Sequence, residues 1–175
     1  TKQEKENPLG IKYIVADASK IRFNKEFDFA VANLLFCNIS NYNTMKQIFK
    51  RISRAVNDTG ELVFSIPHPC FAHLHKTRYV ERIFPKNYNY FNSGQKHKVK
   101  IRGKEYEIEF TNYNWTLEDY AKVFKKHFVL IDLKESRSAT YEIQSGIPMY
   151  LAFKLKKLKQ FPKLPLLKMY TSRLA

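Results

Sequence analysis

The 175-residue chain is short of cysteine, glycine and acid. Its two cysteines, Cys37 and Cys70, make neither a disulfide scaffold nor a Cys-x-x-Cys metal motif. A reducing, cytoplasmic setting fits them best. No stretch reaches the roughly 18 uninterrupted apolar residues of a membrane span. The polar start, Thr1-Lys2-Gln3-Glu4-Lys5-Glu6, has no apolar signal core. Asp plus Glu number 16 against 31 Lys plus Arg, a formal net charge of +15. That balance admits a nucleic acid or an anionic membrane as partner. It also arises with no partner at all, because the chain is rich in Lys, Asn, Ile, Phe and Tyr, whose codons are A/T-rich. At 44 % hydrophobic and 27 % charged residues, wholesale disorder is excluded, and the length suits one domain.

What is present is a strand and helix pattern. Ile11 to Ala16 is short, β-branched and aromatic, followed by Asp17-Ala18-Ser19, and predicts a buried strand. Phe27 to Ala32, ending at Asn33, predicts a second. From Tyr42 to Val56 the apolar residues Met45, Ile48, Phe49, Ile52 and Val56 recur at helical spacing, with basic residues opposite. Asn57-Asp58-Thr59-Gly60 predicts a stop, with Gly60 supplying a positive φ. Glu61 to Ile66 is the third strand, closed by Pro67. A helix between two buried strands is the crossover of a parallel sheet. Ligands of such sheets sit outside the carboxyl ends of the strands. Those ends are Asp17-Ala18, Asn33-Leu34 and Pro67-His68-Pro69-Cys70.

Residues 71–95 are aromatic and basic without a period and predict an irregular insertion. Lys98 to Phe110 alternates on either side of Arg102-Gly103-Lys104, a β-hairpin with one basic and one acidic arm. Thr116 is a good cap for a helix from Leu117 to Lys126. Strands follow at Phe128–Leu133 and Pro148–Leu155. The tail from Lys156 on carries Lys157, Lys159, Lys163, Lys168 and Arg173 and no acid.

In this order the segments resemble the C-terminal two thirds of a class I S-adenosylmethionine-dependent methyltransferase. "GIKYIVADASKI" resembles that family's third strand and adenine loop, "FDFAVANLLFCNI" its fourth strand, and "NDTGELVFSIPHPCF" its fifth. "NWTLEDYAKVFKKHFVLIDLKES" and "GIPMYLAFKLKK" are similar to its late helix and last two strands. The resemblance implies an α/β fold with a Rossmann-like but incomplete sheet. Residues 9–156 would be a partial methyltransferase domain, with 71–115 an insertion forming a cap and 157–175 a basic tail. The family's Gly-rich first turn and ribose-binding acid have no counterpart, since no Gly-x-Gly-x-Gly occurs. The expectation is therefore an N-terminally truncated, and by itself inactive, fragment whose missing N-terminal half could be a partner.

The resemblance implies S-adenosylmethionine as cofactor. Asp17 would accept a hydrogen bond from the adenine amino group and Ala18 would donate its N–H to the ring. Asn33 and Leu34 would lie beneath the methionine part. The plain alternatives are a strand-ending turn at Asp17-Ala18 and a strand end or cap at Asn33. His68, stiffened between two prolines, is a candidate catalytic base for an oxygen or nitrogen nucleophile; its alternative is a structural role in a rigid turn. His73-Leu74-His75 lacks the further ligands a metal site needs. Trp115, Tyr113 and Tyr120 serve either as core or as lid. The function expected is methyl transfer to a small-molecule substrate. Its rival is a non-catalytic remnant or subunit, a basic module for nucleic acid or anionic membrane.

Overall fold

The computed structural model describes residues 6, 8–69, 79–136 and 148–159. Helix α1 (Tyr42–Ala55) starts at Asn41, whose side-chain oxygen accepts from the backbone N–H of Asn43 and Thr44. Met45, Ile48 and Phe49 form its buried stripe, at the spacing the sequence predicts. It connects β1 (Phe27–Asn33) to β2 (Val56–Pro67), which pair in parallel with Asn33 opposite Ser65. A 3-10 turn at Phe36–Cys37–Asn38 leads from β1 towards α1. Thr116 caps α2 (Leu117–Phe124) in a reciprocal box with Asp119. Strands β6 (Phe128–Ser136) and β7 (Tyr150–Lys157) complete a sheet of order β1-β2-β7-β6, with β7 antiparallel to both neighbours.

The core lies on this sheet beneath α1 and α2. Phe36 stacks on Phe49 with centroids 4.4 Å apart, and Phe64 on Phe153 at the same distance. Tyr120 sits in the same fully buried cluster. Buried aromatic pairs of this kind add about 0.5–1.5 kcal/mol beyond the area they bury.

A second sheet, of order β3-β4-β5, stands over the first: β3 (Val80–Ile83), β4 (Gln95–Arg102) and β5 (Glu107–Asn114), all antiparallel. Its outer face carries the expected charge pairs. Lys98 meets Glu109 at 2.6 Å and Arg102 meets Glu107 at 2.8 Å. Trp115, just past β5, donates its indole N–H to the Ile39 carbonyl at 2.8 Å and ties the two layers together.

Four expectations are corrected. Ile11 to Ala16 is no strand: it joins neither sheet, and Val15 is fully exposed. A strand exists only against a partner, and β1 takes its partner from β2. One of the three anticipated strand ends, Asp17-Ala18, is therefore a surface turn. Gly60 does not have a positive φ; a Cβ there would lie 2.6 Å from the Cβ of Val56, so close approach demands glycine. The stretch anticipated as irregular includes β3, which the hairpin recruits. The hairpin turn is residues 103–106, because Arg102 still pairs with Glu107.

Candidate active site

β1 and β2 run side by side, so their carboxyl ends meet. Ser65 donates its hydroxyl to the side-chain oxygen of Asn33 and accepts, through that hydroxyl, from the N–H of Leu34 at 3.2 Å. Leu34 has φ of 50°, a left-handed backbone unusual for a leucine. Its carbonyl accepts from Asn38 Nδ2 at 2.7 Å and from the Cys37 thiol at 3.2 Å. These bonds over-determine the chain reversal, and strain held in this way is characteristic of ligand-binding sites. Burial pushes the Cys37 thiol up to about 11, so it stays protonated and unreactive.

Asp17 opens the turn before β1. Its carboxylate accepts from Ser19 N–H at 2.9 Å and Ser19 Oγ at 2.7 Å, which holds it below the usual carboxylate range. Arg51 of α1 donates to the Ser19 carbonyl at 3.2 Å and docks the turn on the helix. Ala18 lines an apolar groove of about 330 Å³ together with Ala32, Leu35 and Ile48. The structure thus joins Ala18 to the end of β1 through one groove, with Asp17 next to it in the chain.

His68 follows β2 and is 8 % exposed. Its N–H donates to the Met149 carbonyl at 2.8 Å, and Nε2 lies 2.9 Å from Glu135 Oε1 on β6. Beside it, between the strand ends and the second sheet, is a cavity of about 50 Å³. Cys37, His68, Trp115 and Tyr120 wall it from below; Arg82, His97 and Asn112 wall it from above. Trp115 and Tyr120 therefore belong both to the core and to a cavity wall. Among the described residues no group of three metal-ligating side chains comes together. Cys70, His73 and His75 lie outside the described residues, as does the tail from residue 160 on.

Sequence reasoning missed Arg82, His97 and Asn112 as a group. Each was visible singly, but their meeting depends on β3 joining the hairpin.

Residues 1–64 match the family model described as "Methyltransferase domain", a span containing β1, α1 and most of β2. Solved structures agree over more of the chain. A Pyrococcus horikoshii protein matches with a TM-score of 0.63 at 12 % identity, over 90 % of this chain and 66 % of its own. An S-adenosylmethionine-dependent methyltransferase from Clostridium acetobutylicum matches at 0.63 and 16 % identity, over 89 % and 68 %. This is the class I methyltransferase fold. A third match carries the same fold, the Burkholderia thailandensis 1,6-didemethyltoxoflavin-N1-methyltransferase with bound 1,6-didemethyltoxoflavin and S-adenosylhomocysteine. Its TM-score is 0.54 at 11 % identity, over 89 % of this chain and 55 % of that one. No curated protein matches in sequence. The chain spans about two thirds of the length of the first two structures. In this methyltransferase fold β1 stands at a sheet edge, and the antiparallel β7 lies inside, between β2 and β6. No helix among the described residues is long and apolar enough to cross a membrane.

Proposed function

We propose that the protein transfers a methyl group from S-adenosylmethionine to a small-molecule acceptor. The observation that carries this is the meeting of Asn33 and strained Leu34 at the end of β1 with Ser65 of β2, and of His68, two residues after that strand's Ile66, with a walled cavity. The groove beside Ala18 is flat and apolar enough for an aromatic ring, and the Asp17 carboxylate has lone pairs beyond those its present partners use. The residues present therefore fit the cofactor's adenine end. When bound, S-adenosylmethionine supplies a sulfonium methyl whose transfer leaves a neutral thioether.

Asp17 and Ala18 hold the ring, and Asn33 and Leu34 support the amino-acid part. Little covalent help is needed, so positioning and exclusion of water supply most of the catalysis. Glu135 Oε1 lies 2.9 Å from His68 Nε2 and orients the ring beside the cavity. His68 is the candidate base for the acceptor's proton, with the Glu135 carboxylate placed to stabilise the imidazolium that forms.

Calorimetry with S-adenosylhomocysteine tests the reading. Hydrogen bonds to charged groups contribute about 1.5–3 kcal/mol each. With no Gly-rich turn in the sequence, binding is expected to be weaker than the low-micromolar range, and Asp17→Ala should weaken it about tenfold or more. No heat at millimolar ligand, or an Asp17→Ala chain that binds as well as the original, overturns the proposal.

A further inference from the structure

The end of the main sheet away from His68, where β2 begins and β7 finishes, is strongly basic. Two grooves of about 610 and 500 Å³ adjoin there, and Asn24 and Arg54 line both. Their walls carry Arg22, Lys25, Arg51, Arg54, Lys157 and Lys159 against a single acid, Asp58. Lys25 meets Asp58 at 2.7 Å and Lys157 meets it at 3.6 Å, so that acid is already shared. Among the described residues Arg22, Arg51, Arg54 and Lys159 have no carboxylate partner. Their field reaches neighbouring side chains. Burial first, then the charges of Lys50, Lys126 and Arg54, lower the partly buried His127 from the ordinary histidine value. Codon bias accounts for how many lysines and arginines the chain has, but not for where they stand unpaired. In the second sheet Lys98, Lys100 and Arg102 each meet a glutamate. Like charges gathered in one groove destabilise the fold, and an anion seated between them relieves the repulsion.

The shape narrows the class of anion. The cations line concave walls rather than a protruding face, so a flat bilayer reaches few of them. One phosphate cannot touch both grooves, whereas a phosphodiester chain brings a charge at every nucleotide. Phe23 lines the second groove, partly exposed, with its ring edge-to-face against Phe27 at a centroid separation of 5.0 Å. An aromatic ring fixed beside a row of cations is a platform for a base, the arrangement by which single strands are held. From these grooves we infer that the protein binds a single-stranded nucleic acid, its phosphates on Arg22, Arg51, Arg54 and Lys159 and a base on Phe23. β2 is 12 residues long, so the two ends of the sheet lie roughly 35 Å apart along that strand. The strand-binding surface is thus separate from the candidate active site and does not rest on methyl transfer.

Fluorescence anisotropy of the full chain with a labelled oligouridylate, read over a range of salt, tests this. Four free cations at about −0.7 each predict a log–log salt slope of about −3. Arg54→Gln and Lys159→Gln should each weaken binding several-fold and flatten the slope by about 0.7. Lys98→Gln removes the same charge from the second sheet and should leave binding as it is. Phe23→Leu should weaken binding about tenfold with the slope unchanged. Inorganic polyphosphate should compete less well than unlabelled oligouridylate, because it offers no base. Equal weakening by Lys98→Gln and Arg54→Gln would reduce the effect to net charge and overturn the assignment. So would polyphosphate competing as well as the oligonucleotide, or phosphatidylserine vesicles capturing a chain that ignores the oligonucleotide. If Phe23→Leu does not fold, the polyphosphate comparison on the unaltered chain decides whether a base is held. S-adenosylhomocysteine calorimetry alongside separates the two readings: strand binding without it removes the methyltransferase reading and keeps the grooves, and the reverse result removes the grooves alone.

Discussion

A methyl group at position 60 has nowhere to go. It would meet the Val56 Cβ at 2.6 Å and the Asn57 backbone at 3.1 Å, and Val56 and Gly60 are both buried. Overpacking a tight site costs about 1–3 kcal/mol. Gly60→Ala is therefore expected to lower the urea midpoint by that equivalent with the slope unchanged, and an unshifted midpoint would mean that residues 57–59 yield. The sequence marks this glycine as punctuation, but its reason is legible only once Val56 is known to begin β2. The same holds for Arg82, His97 and Asn112. A lone arginine between Glu81 and Ile83, or a histidine between two lysines, carries no sign of its neighbours until the strands pair. That Asn33, Leu34 and His68 stand at strand ends was legible because a buried strand announces its own end.

Elements with an internal signal came through the sequence intact. The stripe of α1, the alternating charges of β4 and β5 and the cap of α2 all repeat a local rule. Thr116 accepts from Asp119 N–H at 3.1 Å while the Asp119 carboxylate accepts from Thr116 N–H at 2.9 Å. Replacing such a cap by alanine costs about 1 kcal/mol. Thr116→Ala should therefore reduce the thermal midpoint by several degrees, and Thr116→Ser should restore most of it; equal melting of the two variants would deny the cap its role. Elements that depend on a distant partner did not come through. Ile11 to Ala16 has the composition of a strand and no ladder to enter, whereas the four residues of β3 become a strand because the hairpin edge accepts them. Local pattern specifies what a segment can become, and pairing decides whether it does.

For the molecule as a whole, acid is the condition to watch. Burial first, then nearby positive charge, lowers both His97 and His127 from an ordinary 6.5, His97 to about 4. Between those values the unfolded chain takes up a proton at His97 that the folded chain refuses. Stability attached to these rings is complete above pH 6.5 and falls as pH drops towards 4. Urea midpoints should decline from pH 7 to pH 5, and less steeply in His97→Gln; parallel declines would show that His97 is not buried in the folded protein. The sheet order has a consequence of another kind. β7 is the last strand among the described residues but an inner strand of the sheet, and Lys157 reaches the Val56 carbonyl across 101 positions. During synthesis the rungs of β2 and β6 that face β7 wait without partners until residues 150–157 leave the ribosome. Closure of this sheet is thus a late, long-range event, slow by its topology. A nascent chain paused before Tyr150 presents two open strand edges at once, the form in which foreign strands are most readily captured.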